Sequence, residues 1–113
     1  MSVVITQGEN YTDAHSIRLQ ILDGKGAVVD ITGSSIVVNI RDEKDNIVSG
    51  TGSYDGSSTW DDATAGKFHA TMTASSTSSL NAGNGVMVCV LTFADGAIRK
   101  TNKLSIAILA GDV

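Results

Sequence analysis

The sequence has no proline and one cysteine, Cys89, in 113 residues. Without proline, the turns fall to the 12 glycines and to Asp, Asn and Ser, which tolerate or favour the backbone conformations that turns require. One cysteine excludes an internal disulfide and leaves a cysteine-based zinc site without enough ligands. Stability must therefore come from packing. Aromatic residues make up only 4 % although hydrophobic residues reach 42 %, so the core has to be built from Val, Ile, Leu, Ala and Met, whose β-branched members favour strands. No apolar run approaches the roughly 18 residues of a membrane span. The start Met1-Ser2-Val3-Val4-Ile5 lacks the charged beginning and the length of a secretory leader. Synthesis in a cytoplasm and no membrane partner are the expectation. Positive charge is also in deficit: 8 Lys and Arg stand against 12 Asp and Glu, a net charge of -4. That is the wrong sign for neutralising phosphates, so no nucleic acid is expected as a ligand. Asn10-Tyr11-Thr12 matches the glycosylation pattern, and without a leader it reads as chance.

At this length one hydrophobic core is expected. No repeat, charge block or linker divides the chain, so residues 1–113 read as a single domain. Residues 16–22 alternate Ile17, Leu19 and Ile21 with Arg18 and Gln20, the period of a half-buried strand. Residues 35–41 repeat the pattern with Ile36, Val38 and Ile40 on one side and Asn39 and Arg41 on the other. Residues 67–73 do so again through Phe68, Ala70 and Met72. Residues 3–6, 27–29, 47–54, 85–93 and 97–109 supply further strands, the last split near Asn102. Gly50 and Gly52 mark a bulge, an edge or a close backbone approach. The Ser- and Thr-rich residues 75–81 predict a short helical turn. Seven or eight short strands with turns between them predict an all-β, immunoglobulin-like antiparallel sandwich.

Chemistry is sparse. His15 and His69 stand in no spacing suited to a metal or a catalytic triad. His69, alternating with core positions, is expected to be solvated or interfacial. Gly50, Gly52 and Gly56 are not followed by the Lys-Ser or Lys-Thr of a phosphate loop. The carboxylates Asp42, Glu43 and Asp45, and again Asp55, Asp61 and Asp62, match no calcium spacing and read as solvated turns. No catalytic residue, no metal and no cofactor is expected.

The strongest signal is apolar character on both faces of one strand. If Val86, Val88 and Val90 line the core, Met87, Cys89 and Leu91 point outward, where an isolated sandwich places polar residues. Ala107 and Leu109 repeat this against Leu104, Ile106 and Ile108. A covering segment of the chain or a subunit interface would account for such a face. The candidate interface is therefore Met87, Cys89, Leu91, Ala107 and Leu109, with Trp60 added from a polar loop. Trp60 either folds back over one end of the sandwich or anchors a partner. With Tyr54 it also offers an alternative, a carbohydrate-binding or adhesion surface.

Several short signatures share one order along the chain. They are Gln7-Gly8-Glu9, Asp23-Gly24, Val29-Asp30-Ile31-Thr32-Gly33 before Ile36-Val37-Val38, Ala65-Gly66-Lys67-Phe68, Leu80-Asn81-Ala82-Gly83, and Phe93-Ala94-Asp95-Gly96 followed by Arg99-Lys100-Thr101. In this order the chain resembles the immunoglobulin-like N-terminal domain of phage baseplate upper proteins, and the small tail, neck and head-decoration proteins of phages with the same pattern. The resemblance implies a non-enzymatic virion part, made in the host cytoplasm. Its implied partners are other virion proteins and further copies of itself, in a trimer or a ring.

Overall fold

A computed structural model describes residues 3–12, 16–54, 61–101 and 103–111. Among the described residues its strands are β1 (Val3–Thr6), β2 (Ile17–Gln20), β3 (Ser35–Asp42), β4 (Ile47–Ser53), β5 (Lys67–Thr71), β6 (Gly83–Thr92), β7 (Ile98–Lys100) and β8 (Leu104–Leu109), with one α-helix, α1 (Ala74–Ser78), and a 3-10 turn at Ala63–Ala65. They form one sheet in the order β1-β8-β6-β3-β4-β5-β2, with β7 also paired to β6. The expected all-β class holds, and the sheet curls on itself as a sandwich or half-barrel. Two details differ from the simple antiparallel expectation. β1 runs parallel to β8, and residues 27–29 contribute only an isolated bridge between Leu22 and Val28.

The curl depends on small residues at the inward positions of β4. A Cβ on Gly52 would lie 2.7 Å from Ile36 Cβ, and one on Gly50 would lie 2.5 Å from the Thr71 carbonyl oxygen. Larger residues there would push β3 and β5 away from the bend. Close approach is thus the reason for both glycines. The strand register then brings Ile17, Leu19, Phe68 and Ala70 over the core, with Ile36, Val38 and Ile40 from β3 and Ile106 and Ile108 from β8. Each of these side chains larger than Ala70 contributes about 1.5–3 kcal/mol of burial. The aliphatic core predicted from composition is what forms, with Phe68 its one fully buried aromatic among the described residues.

The helical turn lies at residues 74–78, close to the expected 75–81. Its N-cap Thr73 side chain accepts from the Ser76 amide, the arrangement that short helices need to satisfy their first donors. Thr77, fully buried, donates its hydroxyl to the Glu9 carbonyl. Leu80 follows into the core, so this segment closes one end of the sheet.

Candidate interaction face

β6 lies inside the sheet and determines which side chains reach the outer surface. It pairs with β3 along one edge and with β7 and β8 along the other. Residues directly opposite across an antiparallel pair share a face. Ile36 faces Leu91, Val38 faces Cys89 and Ile40 faces Met87, so Met87, Cys89 and Leu91 lie inward and are buried. This reverses the expected orientation. The outward residues of β6 are Val86, Val88 and Val90, all half-buried. The alternation Val-x-Val-x-Val suits either face; the polar outward residues Asn39 and Arg41 of β3, opposite Val88 and Val86, are the sequence signal that decides it.

The remaining candidates divide. Ala107 and Leu109 do point outward, Leu109 being exposed. Trp60 lies outside the described residues, as does His15. Tyr54 packs against the core, and its hydroxyl donates to the Ser34 carbonyl at 2.7 Å. Its hydroxyl is thus engaged within the chain, and the residue is half-buried.

The outer face is continuous across the strands. Val90 stands between Val37 and Lys100, and Val86 between Arg41 and Ser105. Beyond them Asn84 pairs with Ala107, and Ala107 with Val4. Val37 is 44 % exposed, Val4 46 % and Ile47 54 %. A hollow of about 420 Å³ opens over Val86, Val88 and Val90, bordered by Ile47, Arg41, Lys100 and Lys103. Neither Arg41 nor Lys100 nor Lys103 makes an ion pair with a described residue. Their aliphatic stems can lie along the valines while the charged ends remain in water.

The reactive groups are engaged elsewhere. Asp42 ends the inward row of β3 and is buried. Its Oδ1 accepts from the Lys44 and Asn46 amides, each at 2.9 Å, and its Oδ2 from the backbone and side-chain amides of Asn81, each at 2.8 Å. Burial works against its charge, but these hydrogen bonds prevail and hold the carboxyl down at about 2. Its oxygens serve as a clamp between turns.

His69 also departs from expectation. It is buried, with Nδ1 2.9 Å from Asp61 Oδ1 and 2.8 Å from Oδ2. The Asp61 side chain is 1 % exposed. A neutral or protonated ring with hydrogen on Nδ1 donates to this carboxylate. The pair was hidden in the sequence because its members stand eight positions apart, on a loop and on β5. Cys89, in the core, has its thiol pushed up to about 11 by burial, against a hydrogen bond with Thr101, which leaves it almost wholly protonated at neutral pH. It lies beside Met87 and Leu91 along a cleft of about 500 Å³ between β2 and β7. No protein-family model matches the chain, and no curated protein matches it.

Proposed function

We propose that this chain is a non-enzymatic structural module of a phage particle, belonging to its tail, baseplate, neck or capsid surface and acting through protein-protein contacts. The observation that carries the reading is the outer face of β6, where three valines stand on an interior strand beside the exposed Val37. Such a row on an interior strand gains most from being covered by another protein. The sequence resemblance supplies the setting: other virion proteins as partners, and further copies of the chain in a trimer or ring. Support for a non-enzymatic role comes from the side chains themselves. Asp42 is saturated with backbone and amide donors, Asp61 is bound to His69, and the Cys89 thiol is held protonated.

Mass spectrometry of purified particles provides the test. The chain is expected as a stoichiometric component, and Val88→Lys is expected to deplete it from particles while the isolated variant still folds. Particles that never contain the chain would overturn the reading.

A further inference from the structure

Charge on the outer face is one-sided. Its outward positions carry Arg41 on β3 and Lys100 on β7, with Lys103 at its border. Among the described residues, no carboxylate occupies an outward position of β3, β4, β6, β7 or β8. Glu43, in the turn beyond Arg41, is tied by its Oε1 to the Asn84 amide at 3.0 Å. A chain of net charge -4 thus presents this apolar face among cations that pair with no described residue.

We infer that this face is reserved for a partner protein whose apposed surface is apolar and bears carboxylates, and that the cations keep two identical copies from pairing face to face. The inference rests on the assembly reading above and adds the chemistry of the partner. A same-face pairing brings together two copies of a surface bordered by Arg41, Lys100 and Lys103, with no described carboxylate at the outward strand positions of either copy. Like charges brought together at a contact disfavour it, whereas opposite charges steer and hold it. A two-fold dimer through this surface is disfavoured on that ground. A ring of identical chains remains compatible, because each contact in a ring joins two different surfaces.

A charge-reversed copy serves as the probe, since it offers the same apolar relief with carboxylates. Wild type is mixed with the Arg41→Glu, Lys100→Glu, Lys103→Glu variant, one of them mass-tagged, and followed by sedimentation velocity. At about 50 mM salt a species containing both chains is expected. Raising salt to about 500 mM should weaken it roughly tenfold, because these charges are exposed and screened. Val88→Lys in either chain should abolish it. Absence of the mixed species at low salt overturns the inference. So does a wild-type dimer, with no larger species, that Val88→Lys removes, although that result leaves the assembly reading standing. If the reversed variant fails to fold, Arg41→Gln, Lys100→Gln, Lys103→Gln replaces it. This neutral form is expected to self-associate more than wild type, and no increase overturns the inference.

Discussion

Asp42 and Asn81 lie 39 positions apart in sequence and are joined by two hydrogen bonds to a single carboxylate oxygen, one from the Asn81 backbone amide and one from its side chain. The other oxygen organises the turn between β3 and β4, where Asp45 takes a positive φ of 62°. One side chain therefore sets the turn and fastens it to the segment entering β6.

Asp42→Asn should lower the melting temperature, because an amide offers one acceptor oxygen where four donors converge. The wild type should also lose stability in acid. The folded carboxyl is held below its unfolded value, so its contribution is fully present above about pH 4 and is lost as pH falls toward about 2. Thermal melts from neutral to acid pH should show the variant's deficit shrinking across that window. A constant deficit would refute the assignment.

Strand orientation is tested by charge. Met87→Lys with Leu91→Lys should unfold the domain, since both side chains are buried and an unpaired charge in a core is prohibitive. Val86→Lys or Val88→Lys should leave the β circular dichroism unchanged. The opposite result would return Met87 and Leu91 to the surface.

Removing one member of the His69 and Asp61 pair should cost about 3 kcal/mol, because the remaining polar group is stranded in a buried site. His69→Phe and Asp61→Ala, measured by urea denaturation with the double variant, should be strongly non-additive. Additive losses would mean that the pair is not coupled.

Gly52→Ala should cost about 1–3 kcal/mol through overpacking, given the 2.7 Å approach to Ile36 Cβ. An outward control, Ser49→Ala on the same strand, should be much milder. Equal losses would remove close packing as the cause.

Cys89 should react with N-ethylmaleimide slowly in the native protein at neutral pH and rapidly in denaturant, since its thiol is pushed up to about 11 and the thiolate is the reactive form. Fast native labelling would show that the cleft opens to the core.

The all-β class, most of the strands and the aliphatic core were legible in the sequence because alternation and β-branching are local properties, whereas residues 27–29 form only a bridge. The runs around Ile36 and Phe68 could be placed from their own residues, since polar neighbours marked the outward side. β6 could not, because every residue from Val86 to Leu91 is apolar and its periodicity fits either face. Cross-strand pairing with β3 decided the matter: Val38 is inward and opposite Cys89, while Arg41 is outward and opposite Val86. Tertiary structure likewise chose the partners of the acidic residues. Composition marked Asp42 and Asp61 only as members of polar turns. Their burial against Asn81 and His69 depends on chain segments that meet only after the sheet curls, and that curl depends on the room left at Gly50 and Gly52.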